Sequence, residues 1–281
     1  MITNGRLIFQ LYKDNGGFIL FFMDKSILYL GDSALKGPGS YLAGVMHFYN
    51  ISFDYLASDQ KLDPSLLGNN YSAVVISDYP ANNFSEHQLK SIAEKVHAGM
   101  GLLMIGGWES FTGVSGGYTD TVFKEVLPVI MQATDDRVNC YQPCLIEKTT
   151  EHEIAASLPF DKTPPCIGGF NRLNAKPEGT VVLSSRRFQV SYRENKFTFT
   201  PAKKAEPLLV VGSYGKGRVV AFATDVAPHW VGGLVDWGDR RVTTQAPGAN
   251  EVEIGNWYAE LLANMVGFTA AKWFQLDYER H

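Results

Sequence analysis

The chain of 281 residues is short of cysteine, of basic runs and of long apolar stretches, and each shortage removes a class of protein. Three cysteines, Cys140, Cys144 and Cys166, are too few and odd in number for a disulfide framework. No histidine follows Cys140 and Cys144 at finger spacing, so a structural zinc site is not expected and the thiols read as reduced, in a cytoplasmic protein. With 25 Lys and Arg against 29 Asp and Glu the formal charge is −4, and no basic run interrupts it. That balance offers no electrostatic footprint for DNA or RNA, and no nucleic-acid partner is expected. The apolar stretch Gly17 to Met23 is far shorter than the ~20 residues of a membrane span. Lys13 and Asp14 cancel ahead of it and no small-residue cleavage site follows, so neither a membrane partner nor a secretory leader is expected. Repeats and low-complexity segments are missing too.

What is present is a globular composition, 45% hydrophobic and 19% charged. "SILYLGDS" (26 to 33) is a near-continuous apolar run ending in Asp32 and Ser33, as a strand buried on both faces requires. "YSAVVISDYP" (71 to 80) repeats the pattern and stops at Asp78. "GLLMIGG" (101 to 107) is a third such run, ending in Gly106 and Gly107. Between them, "YLAGVMHFYN" and "SEHQLKSIAEKVHAG" carry apolar residues at helical spacing, the second closed by Gly99 where a helix C-cap belongs. Strand, helix, strand, helix, strand predicts a parallel sheet with helices on both faces. In such sheets ligands bind beyond the carboxyl ends of the strands, where Asp32, Ser33, Asp78, Gly106, Gly107 and Trp108 would meet.

Residues 137–200 alternate short extended runs with turns, which predicts a β-rich elaboration within one domain spanning 26–270. Residues 1–25 read as an N-terminal extension and 271–281 as a C-terminal tail. "PLLVVGSYGKGRVVAFATDVAPHW" holds two strands around the turn "SYGKG". That turn joins strands instead of opening a helix, so it is not a phosphate loop, and no cofactor is expected. The second strand ends in Asp225, Pro228, His229 and Trp230. Asp225 could orient His229 or share a proton with it, and Trp230 could shield the pair from water. Glu109, read as standing at a helix N-terminus, could serve as general base or merely complement the helix dipole. Ser110 reads as a turn residue. Asp32, Asp78, Glu109, Asp225 and His229 could in principle hold a divalent cation, but no short ligand spacing supports it, and no metal is expected.

"LLMIGGWESFTG", with "ILYLGDSAL", "AVVISDYPANN", "EVLPV", "DDRV", "GGFNRL" and "LLVVGSYGKGRVVAFATDVAPHW", resembles the glutamine amidotransferase-like family of bacterial proteins, within the class I amidotransferase-like superfamily that also holds the ThuA-like proteins. The matching segments span roughly residues 26 to 266. The resemblance implies an α/β, flavodoxin-like three-layer sandwich with a mainly parallel sheet. It says much less about the reaction. A working class I glutaminase carries a Cys on the strand-to-helix elbow, a His that activates it, and a Glu two residues after that His. Here Trp108 or Glu109 stands at the elbow, and none of the six histidines has Glu or Asp two positions on. Ordinary glutamine hydrolysis is therefore not expected. The expectation is a small-molecule ligand held at the elbow by Gly106, Gly107, Trp108, Asp32, Ser33, Asp78 and Trp230, with Glu109, Asp225 and His229 in any catalytic role. The alternative is a non-catalytic interaction module, with Trp230 and Trp237 as exposed anchors. Such a fold also accommodates a homo-oligomer.

Overall fold

The computed structural model describes residues 27–272, together with the short antiparallel pair Tyr12–Asp14 and Gly17–Ile19. The rest of the expected extension, and the tail beyond residue 272, lie outside the described residues. The main sheet holds nine strands: β1 (Ile27–Gly31), β2 (Phe53–Leu56), β3 (Ala73–Ser77), β4 (Gly101–Ile105), β5 (Cys144–Lys148), β6 (Thr180–Arg193), β7 (Lys196–Pro201), β8 (Glu206–Tyr214) and β9 (Gly217–Phe222). Their order is β7-β6-β8-β9-β4-β3-β1-β2, with β5 also paired to β6. β2, β1, β3, β4 and β9 are mutually parallel. Every residue of β1, β3 and β4 is buried, which is why these strands read as unbroken apolar runs.

Chain order explains the layers. From β1 the chain steps sideways to β2, whereas from β3 it steps the opposite way to β4. Right-handed crossovers therefore put α1 (Ser40–Phe48) and α2 (Glu86–Ala98) on opposite faces. The reversal falls between β1 and β3, and that is the crevice where sheets of this order bind ligands. α2 starts at a capping box, with Ser85 accepting from Gln88 N–H and the Gln88 side chain accepting from Ser85 N–H. It ends at Gly99 with φ +132°. A four-residue α3 (Phe123–Val126) is all the helix that "TDTVFKEVLPV" supports. The last helix, α4 (Asn256–Thr269), is buried along Tyr258 to Thr269 and packs against α1 and across β3, β4 and β9.

The expected β-rich elaboration is the antiparallel half of the sheet. β6 pairs with β8 and β5 over its first half. Beyond Arg187 it continues with β7 alone, as an arm closed at Glu194 and Asn195. Both turn residues have positive φ, 49° and 61°, the conformation of a two-residue hairpin turn that follows strand twist.

Candidate functional site

Three aspartates stand at the carboxyl ends of parallel strands: Asp32 after β1, Asp78 after β3, and Asp225 three residues beyond β9. Asp32 is buried. Its N–H donates to Ser77 O at 2.8 Å, its carboxyl accepts from the Tyr29 hydroxyl, and its carbonyl accepts from the Tyr55 hydroxyl at 2.6 Å. Asp78 accepts from Glu109 N–H at 2.6 Å and from Trp108 N–H. Asp225 accepts from Val226 N–H at 2.6 Å and Ala227 N–H at 3.0 Å, a turn that folds over its own side chain.

Burial and mutual repulsion make these three carboxyls weak acids. Burial, more than the neighbouring Asp78, pushes Asp32 up to about 7, against the opposing hydrogen bonds from Tyr29 and Ser77. Asp78 is pushed up to about 6, by burial first; the charge of Glu109 adds to the rise, and the amides of Glu109 and Trp108 oppose it. Asp225 is raised well above the usual carboxylate range by burial, then by Asp32 and Asp78. The three share the carboxyl edge, but Asp32 accepts from the Tyr29 hydroxyl and Asp78 and Asp225 from backbone N–H groups, and among the described residues no hydrogen bond joins any two of them.

The elbow after β4 differs from the sequence expectation. Residues 106–117 form a chain of turns, not the start of a helix, so Glu109 does not complement a helix dipole. The physical reason is the concentration of glycine and of backbone that a helix cannot accept: Gly107, Phe111, Gly113 and Gly117 all have positive φ. Two polar residues lock the turns. Asn171 accepts from Gly107 N–H at 2.9 Å and donates to Gly107 O at 3.1 Å and to Asp136 Oδ1 at 2.7 Å. Asp136 accepts from Thr112 and Gly113 N–H at 3.1 and 3.0 Å. Ser110 is buried as a turn residue, accepting from Asp78 N–H and donating to Ile105 O.

Trp108 is 45% exposed and forms a rim with two neighbours. The His229 ring meets it edge-on, centroids 5.9 Å apart, and the Arg137 guanidinium lies 4.5 Å from its ring centre. His229 is held at φ +114°, a sparsely populated conformation for a side chain with a β-carbon. Among the described residues Asp225 and His229 share no hydrogen bond, so the expected Asp–His pair is replaced by an Asx turn and an aromatic contact. Ser33 is exposed beside Asp32, and Gly106 is buried with its N–H on Phe222 O. Trp230 is a correction: only 1% exposed and donating to Asn139, it is core and shields no pocket. Trp237, 6% exposed and donating to Thr163 O, is no surface anchor either. Among the described residues no three His, Cys, Asp or Glu side chains converge in a way that could hold a metal ion.

Asp136, Arg137 and Asn171 escaped the sequence reading as site residues. Their segments, "DDRV" and "GGFNRL", are among those carrying the family resemblance, but nothing in their spacing ties them to elbow residues 23 to 64 positions away. Tyr29 was hidden inside an apolar strand.

The parallel strand order, the crevice between β1 and β3 and the glycine elbow define a class I amidotransferase-like α/β protein. The family model described as "Putative glutamine amidotransferase" matches residues 56–242, and the chain belongs to that family. Cytoplasmic protein STM1381 from Salmonella typhimurium LT2 is 32% identical, with 74% of this chain and 91% of that one covered at a TM-score of 0.60. Cytoplasmic protein STM3548 from Salmonella typhimurium is 26% identical, over 87% and 98% of the two chains, at 0.66. A ThuA-like protein from Parabacteroides merdae shares the fold at 12% identity and a TM-score of 0.52, over 89% and 91%. No curated protein matches the chain. No helix among the described residues is long and apolar enough to cross a membrane.

Proposed function

We propose that the protein is a cytoplasmic small-molecule-binding protein with a divergent, hydrolase-like pocket at the β1/β3 crevice. Its ligand is an uncharged hydroxyl- or amide-bearing metabolite. The observation that carries this reading is the gathering of the carboxyls Asp32, Asp78 and Asp225 on one carboxyl edge, at the ends of β1 and β3 and, one strand beyond β4, after β9, close enough for Asp32 and Asp78 to raise Asp225. Partly protonated carboxyls both donate and accept hydrogen bonds, which suits hydroxyl and amide groups and does not demand a cation. Trp108 and His229 give such a ligand an apolar wall, and Arg137 backs the indole. In this reading Glu109, Asp225 and His229 remain the candidates for proton transfer.

The test is thermal-shift screening of neutral sugars, polyols and primary amides at pH 6 and pH 8, followed by Asp78→Asn, Glu109→Gln and His229→Ala. A compound that raises the melting temperature of the parent, with the effect lost in Asp78→Asn, is the expected result. Unchanged affinity in all three variants would eliminate the site. Ammonia released from glutamine, and lost in a Cys140, Cys144 or Cys166 to Ala variant, would instead revive a glutaminase.

A second reading concerns the arm of β6 and β7. Val190, Tyr192, Phe197 and Phe199 pair across one face of the hairpin, and Tyr192, Phe197 and Phe199 are 58%, 66% and 56% exposed. With aromatic side chains of roughly 200 Å2 each, this face is already the size of the largest patch on a typical monomer. β7 also ends the sheet order, and among the described residues no strand pairs with its outer edge. Edge and apolar face are self-complementary about a two-fold axis, so we assign the occupant as a second copy of this chain. Light scattering should show a dimer that Phe197→Ser with Phe199→Ser converts to monomer. A monomeric parent would remove the reading.

A further inference from the structure

Cys140 and Cys144 lie at the root of that arm, on the side of the sheet's antiparallel half, and belong to neither reading above. Cys144 is fully buried on β5, paired in register with Arg187 of β6. Cys140 is partly exposed, and its N–H is anchored to Gly168 O at 2.8 Å. Both thiols are free, four residues apart on the run that leads into β5, and each shifts the acidity of the other. Cys140 also lines a cavity of about 410 Å3 whose walls include Arg187, Phe188, Gln189 and Lys203. That volume lies within the range of small-molecule sites. Two cations and an apolar ring suit an anionic, peptide-like molecule.

We infer that Cys140 and Cys144 form a dithiol that exchanges with a low-molecular-weight anionic disulfide bound in this cavity. The Cys140 thiolate attacks one sulfur of the disulfide, the S–S bond breaks, and one thiolate leaves and takes up a proton. Cys144 then loses its proton to water and attacks the Cys140 sulfur, forming the Cys140–Cys144 bond and expelling the second thiolate. The protein gives up two electrons and two protons, and the small disulfide becomes two thiols.

The roles of the two sulfurs are set by their surroundings. The neighbouring Cys144 thiol holds the Cys140 thiol below its ordinary value; burial opposes this, Arg187 adds to it and Glu206 subtracts. Cys144 is driven the other way, by Cys140 and by burial, and so stays a thiol until the mixed disulfide forms. Arg187 is shared with Glu206 at 3.4 Å. Cys166, partly exposed, bridged to Leu145 of β5 and raised by burial, is an internal control. Thiolate character and access together mark a reactive cysteine.

The probe is oxidised glutathione on the full chain, quenched with iodoacetamide and read by peptide mass spectrometry. The peptide holding Cys140 and Cys144 should lose two hydrogens while Cys166 is alkylated, and Cys144→Ala should trap one glutathionyl group on Cys140. In the untreated parent, Cys140 should alkylate about tenfold faster than Cys166 at neutral pH, which tests the idea even if Cys144→Ala does not fold. Alkylation of Cys140 no faster than Cys166, a glutathionyl group confined to Cys166, or a disulfide that includes Cys166 would overturn it.

Discussion

Gly107 closes directly on the carboxylate of Asp78: a β-carbon at Gly107 would stand 2.2 Å from Asp78 Oδ1, less than any real contact allows. The backbone there is at φ +156°, so the elbow needs glycine both for space and for conformation. Gly107→Ala is therefore expected to destabilise the protein by about 3 kcal/mol, more than a positive φ alone would cost. Denaturant melts check this, and a loss below half that amount would mean that Asp78 swings away freely.

Burial of Asp32 and Asp78, with the neighbouring carboxylates Asp78 and Glu109 adding to it, makes stability depend on pH in an unusual direction. Asp32 and Asp78 are raised to about 7 and about 6 when folded, whereas an unfolded aspartate titrates near ~3.9. Below the unfolded value their contribution is fully present. As pH rises towards 7 the unfolded chain releases these protons first, and stability falls by up to about 1.4 kcal/mol per pH unit for each proton. Asp32→Asn keeps an acceptor for the Tyr29 hydroxyl and never ionises. It should stabilise the chain at pH 8 by about 2 kcal/mol and have far less effect at pH 5. An effect equal at both pH values would show that Asp32 is not a raised acid.

Much of this architecture was legible because it rests on local pattern. β1, β3 and β4 are buried on both faces, so their sequences are simply apolar, and they stop at Asp32, at Asp78 and at the Gly106–Gly107 pair that mark the carboxyl edge. Ser85, Gln88 and Gly99 write the ends of α2 into the sequence. The course of the elbow was not legible. A helix after Gly107 was the natural expectation from the fold, but the turns are dictated by Asn171 and Asp136, which reach them only after the chain has folded. The environment of Trp230 was misread for a similar reason. Its partner, Asn139, is 91 residues away in sequence.

Asn171 is the pin of the elbow and makes its own prediction. It satisfies both backbone groups of Gly107 and one oxygen of Asp136. Asn171→Ala would leave a buried N–H, a buried carbonyl and a buried carboxylate without that partner, at a cost of about 2 to 4 kcal/mol. The loosened turns should become the first site of limited proteolysis, with cleavage between residues 106 and 117. A variant that melts earlier but is cut elsewhere would mean that Asp136 alone holds the loop.

Trp108 and Trp230 separate surface from core. Trp108 is 45% exposed and its ring meets the rim groups His229 and Arg137, so Trp108→Ala should change stability by about 1 kcal/mol or less. On the proposed function, its effect should fall on ligand affinity. Trp230 is 1% exposed, and its ring lies so close to Gly169 that a β-carbon there would sit 2.3 Å from the indole. Trp230→Ala therefore opens a cavity that backbone on the Gly169 side cannot readily fill, and Asn139 loses its donor. A loss of about 3 to 5 kcal/mol is expected, enough to unfold a marginal domain. Trp230→Phe should recover most of the packing and none of the hydrogen bond. If denaturant melts instead placed Trp108→Ala as the costlier change, the rim would be structural, and the crevice would lose its apolar wall as a site for ligand.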